Sequence, residues 1–182
     1  MPNTQPGSAY FLEERKETPE THTFSVVVDN EPGVLARIAG LFSGRGYNIE
    51  SLTVSETEHE KHISRFTIVT TGTPMILAQI KSQLERLVNV HRVVDLTVFG
   101  RPLERELALV KVSGRGEKRI EALRMAEIFR ANVIDASTEH FVFELTGRSS
   151  KIEQFISIMT ELGLTEVSRT GIAAIARGHK AM

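Results

Sequence analysis

The residues best suited to bind a small ligand lie in one short stretch, Asp29-Asn30-Glu31-Pro32-Gly33-Val34-Leu35, which joins a β-rich run to an amphipathic run. A helix start exposes unpaired backbone N–H groups and partial positive charge, which suit a carboxylate. Pro32 fits a first helical position, and Gly33 leaves room for a ligand beside the backbone. The amide oxygen of Asn30 can accept a hydrogen bond from an ammonium group. These features together predict a site for a zwitterion, with ordinary helix capping by Asn30 or Glu31 as the alternative.

A second stretch of interest is Arg45-Gly46-Tyr47-Asn48-Ile49-Glu50-Ser51, which follows the amphipathic run. If it leads into the second strand of a βαββαβ unit, that strand lies at the edge of the sheet. An exposed edge invites pairing with another chain. Pairing of two copies at this edge would bring Asn48 of one copy toward the helix start of the other. The alternative is an ordinary helix stop followed by a strand.

Other polar clusters give weaker signals. The basic, glycine-rich turn Ser113–Arg119 lacks the spacing of a P-loop or a dinucleotide fingerprint. His59 and His62 flank a predicted hairpin tip, but no third metal ligand accompanies them. No nucleophile–base arrangement or carboxylate pair stands out from ordinary surface charge. The sequence therefore predicts neither a catalytic residue nor a metal site.

Hydrophobic periodicity places both stretches between regular elements. Apolar residues recur at helical spacing after Gly33, and Gly44-Arg45-Gly46 ends that helix. The predicted elements of the first unit are, in chain order, strand Thr23–Asp29, a helix from Val34, strand Asn48–Glu56, hairpin turn Glu58–His62, strand Arg65–Thr71, a helix from Ile76 to Leu87 and strand Val90–Phe99.

The same order of elements returns in the second half of the chain. The predicted elements there are strand Glu106–Val112, a helix from Ile120 to Phe129, strands Asn132–Ala136 and Phe141–Thr146, a helix from Ile152 to Met159 and strand Leu164–Ser168. The sequence thus predicts an α+β fold of two ferredoxin-like βαββαβ units in tandem. We expect a flexible tail over 1–21, a first domain over 22–100 and a second domain over 101–182, with the boundary at Gly100-Arg101-Pro102.

Composition excludes several classes of function. The chain has 182 residues, a formal net charge of −1 and no cysteine. A charge this balanced provides no field to attract nucleic acid, and the lack of cysteine rules out disulfides and thiolate chemistry. No apolar run approaches the roughly 20 residues that span a bilayer, and the acidic N-terminal stretch is unlike a signal or transit peptide. We therefore expect a cytoplasmic protein.

Two other function classes remain open on the fold alone. RNA-binding modules with this order of elements stack bases on aromatic side chains of their central strands. Here those strands offer chiefly Phe24 and Phe66. A small enzyme on the same fold is the other alternative, because fold does not determine function.

Several stretches resemble one known family. Asn30–Arg37, Gly40–Ser43 and Arg45–Val54 are similar to the ACT domain of acetolactate synthase small subunits. Gln83–Val90, Glu104–Val112 and Glu127–Arg130 with Ile134-Asp135 are also similar to that family. The resemblance covers about residues 23–178. Its most specific phrase is Gly46-Tyr47-Asn48-Ile49-Glu50-Ser51-Leu52.

The resemblance implies a regulatory subunit of branched-chain amino-acid biosynthesis. In that family the small subunit dimerises through its ACT domains, binds valine at the dimer interface, and both activates and feedback-inhibits a separate catalytic large subunit. The matching effector positions are Asn30, Gly33, Val34 and Leu35 of one chain with Asn48 and Ile49 of its partner. Thiamine diphosphate, Mg²⁺ and FAD are expected on the catalytic partner, and no cofactor on this chain. A stand-alone ACT-type amino-acid sensor that controls another enzyme is the alternative.

The second unit has no equivalent of the stretch Asn30–Gly33. Its matching turn, Ser113-Gly114-Arg115-Gly116, is basic and differently spaced. We therefore expect the second unit to bind no amino acid and to help convey the effector signal.

Overall fold

A computed structural model describes residues 18–98 and 100–179, and it confirms two βαββαβ units in tandem. The first unit consists of β1 (Glu20–Asp29), α1 (Val34–Ser43), β2 (Ser51–Glu58), a short 3₁₀ helix (His59–Lys61), β3 (Ile63–Gly72), α2 (Pro74–Leu84) and β4 (Val90–Asp95). The second consists of β5 (Leu103–Val112), α3 (Glu117–Phe129), β6 (Asn132–Ala136), β7 (Phe141–Gly147), α4 (Ser149–Leu162), β8 (Leu164–Arg169) and β9 (Ala173–Ile175).

The first sheet is antiparallel with strand order β2-β3-β1-β4, so β2 lies at an edge as predicted. Side chains alternate along β1, and Phe24, Val26 and Val28 are fully buried on the face that packs against the helices. Ile38 of α1 and Ile80 of α2 complete this core. The amphipathic pattern of α1 therefore fixes which face of the helix packs on the sheet.

The second sheet has strand order β6-β7-β5-β8, and β9 pairs with the first residues of β5. Its core has more aromatic contact, since Phe143 and Phe155 meet edge to face with ring centroids 5.9 Å apart. Ala122 and Ala126 are the buried residues of α3. Their small side chains let that helix lie close to its neighbours in the core.

Several predicted element bounds were wrong. β2 begins at Ser51 rather than Asn48, and β4 ends at Asp95, short of the predicted strand end at Phe99, which lies outside the described residues. The predicted hairpin turn before β3 contains a 3₁₀ helix, and β1 begins at Glu20, inside the predicted tail. Residues 1–17 of that predicted tail lie outside the described residues.

Hydrogen bonds link the two units. The backbone N–H of Ile172 donates to the hydroxyl of Ser51 at 2.9 Å, and the hydroxyl of Thr23 donates to Glu104 at 2.8 Å. Gly171 has φ +81°, and a Cβ there would lie 2.9 Å from the Ser51 hydroxyl oxygen, so glycine is required at this contact. No helix in the described part of the chain is long and apolar enough to cross a membrane.

Candidate functional site

The loop between β1 and α1 ends in a glycine with open space around it. Gly33 precedes α1 with φ +88° and ψ −11°, a left-handed conformation that glycine adopts without steric cost. A Cβ built on Gly33 would meet no atom within 4 Å. The sequence prediction of room beside this backbone therefore agrees with the geometry.

The first turn of α1 exposes unused hydrogen-bond donors. The N–H of Val34 lies 3.4 Å from the carbonyl oxygen of Glu31, a long and weak contact. The N–H groups of Leu35 and Ala36 have no acceptor among the described residues. This turn contains no acidic side chain, and no side chain caps the helix start with a hydrogen bond. The helix start therefore keeps its donors and its partial positive charge available to an anion.

Asn30 is held at its backbone and keeps one polar atom unused. Its N–H donates to the carbonyl oxygen of His62 at 2.6 Å, and its side-chain N–H₂ donates to Glu56 at 3.3 Å. Within the described part of the chain its amide oxygen has no donor. Asn30 does not cap α1, so the alternative of helix capping by this residue does not apply. Its oxygen is free to accept from a ligand.

A carboxylate lies next to Asn30. A hydrogen bond from His59 holds the pKa of Glu56 below its ordinary value, and the bond from Asn30 acts in the same direction. The same contact with Glu56 raises the pKa of His59. Glu56 is therefore ionised at neutral pH and places negative charge beside the loop.

A polar network that the sequence reasoning missed fixes the other side of the loop. Asn89 is 9 % exposed, and its side chain donates to Glu31 at 2.9 Å and accepts from Arg37. Its carbonyl oxygen accepts from the N–H of Asp29 at 3.0 Å. The only sequence signal was a polar residue just before an apolar strand, which is too common to single out. Asn89 therefore positions both ends of the candidate loop.

The six predicted effector positions differ in what they present. Val34 is only 4 % exposed and its side chain belongs to the core, so it offers only backbone to a ligand. Leu35 is 50 % exposed, whereas Ile49 is half-buried against the core. The side chain of Asn48 is exposed, and its carbonyl oxygen accepts from the Thr70 hydroxyl at 2.6 Å.

The structure does not bring all six positions together in one chain. Asn30, Gly33 and Leu35 lie at the start of α1, whereas Asn48 and Ile49 follow its end. The ten residues of α1 separate the two groups by about 15 Å at 1.5 Å per residue. A single site that contains both groups therefore requires two chains.

The corresponding helix start in the second unit also has open space at Gly116, which has φ +60°, but it carries charged side chains. Arg115 pairs with Glu139 at 3.0 Å, and Glu117 places a carboxylate in the first turn of α3. Arg119 donates to the carbonyl oxygen of Ser137 at 2.6 Å and covers the ring of Phe141 at 3.8 Å. No group of three or more His, Asp or Glu side chains in residues 18–98 and 100–179 is placed to hold a metal ion.

Comparison with known proteins identifies the family. A family model described as "AHAS small subunit-like ACT domain" matches residues 24–92, and one described as "Small subunit of acetolactate synthase" matches residues 105–178. The chain is 45% identical over 159 residues to a probable acetolactate synthase small subunit of Archaeoglobus fulgidus, an alignment that covers 87% of this chain and 98% of that one. The chain belongs to the acetolactate synthase small subunit family.

Other members of the family agree in sequence and in fold. An acetolactate synthase small subunit of Aquifex aeolicus is 46% identical over 164 residues, which is 90% of this chain and 84% of that one. The crystal structure of the Thermotoga maritima small subunit superposes with a TM-score of 0.81 at 38% identity, and covers 88% of this chain and 99% of that one. The first unit is thus an ACT domain of this family, as the resemblance implied.

Proposed function

We propose that this chain is the regulatory subunit of an acetolactate synthase and senses valine through its ACT domain. The observation that carries the proposal is the open start of α1, where Gly33 has open space and two N–H groups lack acceptors in the described structure. The family match of residues 24–92 to an ACT domain supports the same reading. In this proposal the site forms between two chains.

Each part of valine has a suitable neighbour in such a site. The N–H groups at the start of α1 receive the carboxylate, and the amide oxygen of Asn30 accepts from the ammonium group. The exposed side chain of Leu35 and the partner's Ile49 form the walls for the branched side chain. The negative charge of Glu56 favours the ammonium group and opposes an acidic side chain.

The proposal extends to a partner and its cofactors. Relatives named as small subunits imply a large subunit, and we propose that this chain activates and feedback-inhibits a catalytic large subunit. Thiamine diphosphate, Mg²⁺ and FAD are assigned to that large subunit. The first step of the control is a change at the ACT interface on valine binding. The second unit, whose first helix begins with the acidic residue Glu117, then conveys the signal.

Calorimetry on the isolated chain tests the effector. We expect valine to bind, isoleucine and leucine to bind less well, and glutamate not to bind. One methylene is worth about 0.8 kcal/mol, or about fourfold in affinity, so discrimination among the branched amino acids should be modest. We expect no more than one valine per chain, because the second unit has no equivalent of the stretch Asn30–Gly33 and carries Glu117 in the first turn of α3. Tighter binding of glutamate than of valine contradicts the proposal.

An acetolactate assay tests the control function separately. The purified large subunit is expected to gain activity on addition of this chain and to lose the gain on addition of valine. The alternative function, a stand-alone sensor for another enzyme, predicts that valine binds but that the large subunit is unaffected.

A further inference from the structure

A cavity of about 750 Å³ lies beside the free edge of β4, away from α1. One wall is α2, with Leu77, Ala78 and Lys81, and the opposite wall is the segment 176–179 that follows β9. This volume lies within the range of about 300–1,000 Å³ that small-molecule sites occupy. The cavity does not include any of the six predicted effector positions.

The charged side chains around this cavity are mostly cationic. Lys81, Arg92 and Arg177 line it, and Asp95 is the only carboxylate in the lining. Both oxygens of Asp95 are already used, since one accepts from His22 at 2.6 Å and the other from the N–H of Thr97 at 3.0 Å. Asp95 is therefore held at the end of β4, and the three cationic side chains outnumber this one carboxylate.

The three cations have little internal compensation. Arg92 has no ion-pair partner in the part of the chain that the structure describes. Arg177 donates from Nε to the carbonyl oxygen of Arg101 at 2.8 Å, a neutral acceptor that orients its guanidinium. Lys81 lies 3.8 Å from Glu85, a long contact at the exposed surface. This local excess of positive charge contrasts with the net charge of −1 for the whole chain.

The floor of the cavity is apolar. Leu77 and Val93 are buried at its base, and Val98 is 70 % exposed at its rim. Cations above an apolar floor suit a ligand that combines an anionic group with a flat or aliphatic body. An inorganic anion would leave the apolar floor unused, and a neutral apolar molecule would leave the cations unused.

We propose that this cavity is a second ligand site, for a small organic anion with a phosphate or carboxylate group and an apolar body. The site lies in the first unit but uses α2, β4 and the segment after β9, none of which belongs to the valine site proposed above. Because the segment after β9 follows the second unit, a ligand here contacts both units. The proposal is independent of the valine proposal, because the two sites share no residue.

A matched pair of fluorescent probes tests the site. Anilinonaphthalene sulfonate combines a sulfonate with an aromatic body, and phenylnaphthylamine has a similar body without the anion. We expect the sulfonate to bind saturably and about tenfold or more tightly than the neutral probe, with the difference reduced by salt. Equal binding of the two probes overturns the proposal. Displacement of the sulfonate by saturating valine also overturns it, because the two sites are separate.

Substitutions then locate the bound probe. Arg92→Gln and Lys81→Gln are each expected to weaken the sulfonate about tenfold and to leave the neutral probe unchanged. Arg92→Lys should keep most of the affinity. Arg86→Gln removes an exposed arginine of the same unit that lies outside the cavity, and it should change nothing. Unchanged sulfonate binding in both cavity variants overturns the proposal, as does an equal loss in the Arg86 control.

Competition separates the two kinds of anion. Adenosine monophosphate carries a phosphate on a flat body, and naphthoate carries a carboxylate on one. Displacement of the sulfonate by either compound supports the site and names its preferred group. Displacement by neither contradicts the proposed ligand class.

Discussion

The two units share one order of elements and differ at the start of their first helices. In the first unit Gly33 faces open space and the following N–H groups lack acceptors in the described structure. In the second unit Glu117 lies in the first turn of α3, and an ion pair between Arg115 and Glu139 lies beside it. Gly116 also has open space around it, but the carboxylate of Glu117 adds negative charge to the first turn of α3 and opposes a ligand carboxylate there. The same fold position thus carries no acidic side chain in the first unit and one in the second.

The polar clusters of the two units differ in a related way. In the first unit the network of Glu31, Arg37 and Asn89 is adjacent to the candidate site and shapes its loop. In the second unit the strongest cluster is a bidentate pair between Glu106 and Arg169, with contacts of 2.6 and 2.8 Å. That pair lines a cavity of about 480 Å³ with Ser51 and Leu52 of the first unit. Its place indicates a structural role at the junction of the units.

The largest expected effect comes from Gly33→Asp. The new carboxylate stands where the ligand carboxylate docks, so we expect valine affinity to fall at least about 100-fold. The variant should still fold, because its Cβ meets open space and aspartate tolerates the left-handed region better than most residues. Calorimetry measures the affinity, and the acetolactate assay should show activation without valine inhibition.

Gly33→Asn is the matched control for that charge. It has nearly the same shape and the same backbone preference, but it lacks the negative charge. We expect Gly33→Asn to lower valine affinity about tenfold or less. The difference in affinity between the two variants therefore measures the repulsion between the new carboxylate and the carboxylate of valine. Full valine sensitivity of Gly33→Asp would place the effector elsewhere in the molecule.

The next effect in size is that of Asn48→Ala. In the proposed site the exposed Asn48 side chain hydrogen-bonds a charged group of valine. Loss of such a bond costs about 1.5–3 kcal/mol, so valine should bind about 10- to 100-fold more weakly. Asn132→Ala makes the same chemical change in the second unit, at the first residue of β6. There the asparagine side chain donates to Glu144 at 3.3 Å. Asn132→Ala should leave valine affinity unchanged. If it lowered valine affinity as much as Asn48→Ala does, the assignment of the valine site to the first unit would be contradicted.

Mixed dimers test whether two chains share each site. Gly33→Asp chains are refolded with Asn48→Ala chains, and heterodimers are separated by tags. If each site takes Gly33 from one chain and Asn48 from the other, one site carries both substitutions and one carries neither. Tight valine binding should then return at about one site per heterodimer. Confirmed heterodimers without such a site would mean that the interface lies elsewhere and would contradict a site shared between two chains.

Most of the fold could be predicted because each core element carries a clear apolar period. Phe24, Val26 and Val28 alternate along β1, and Ile38 and Phe42 repeat along α1. β9 was missed, because it has three residues and its partner in β5 is distant in sequence. The start of β2 was misplaced because the pairing of Glu50 with the carbonyl oxygen of Val69 precedes the strand, and sequence alone does not show that register.

The candidate site was only partly predictable, for a physical reason. The turn chemistry at Pro32 and Gly33 is local, so the sequence indicates the open helix start. Asn89 contacts Glu31 and Arg37 from more than fifty positions away, and only the folded chain brings them together. For Val34 the pattern marked a position near the ligand, whereas the packing of α1 turns its side chain into the core.

A fourth prediction concerns Glu106→Gln, which tests the structural role of the second unit. Hydrogen bonds from Arg169 hold the pKa of Glu106 below its ordinary value, and Ser149 acts in the same direction while burial opposes. Since the folded pKa is lowered, the stabilisation is present above the unfolded value of about 4.3 and is lost as pH falls through the folded pKa. We expect the variant to lose about 1–3 kcal/mol of unfolding free energy at pH 7.

Urea unfolding at several pH values checks this prediction. The gap between the original chain and Glu106→Gln should narrow as pH falls below about 4.3. Glu166→Gln is the matched control, because it removes an exposed pair with Lys111 at 2.6 Å and should change stability much less. Valine affinity should be unchanged in both variants. A large loss of valine affinity in Glu106→Gln would show that the second unit shapes the effector site.

The smallest effect is expected from Leu35→Ala, compared with Ile120→Ala. Leu35 in α1 is 50 % exposed and Ile120 in α3 is 54 % exposed, so either truncation should change the melting temperature little. Only Leu35 lies beside the open helix start, where it can contact the branched side chain of valine. Because a buried methylene contributes about 0.8 kcal/mol, Leu35→Ala should weaken valine about three- to tenfold and leave alanine binding nearly unchanged. Ile120→Ala should leave the affinities for valine and alanine unchanged. Equal effects of the two substitutions on valine affinity would mean that Leu35 does not contact valine in a specific site.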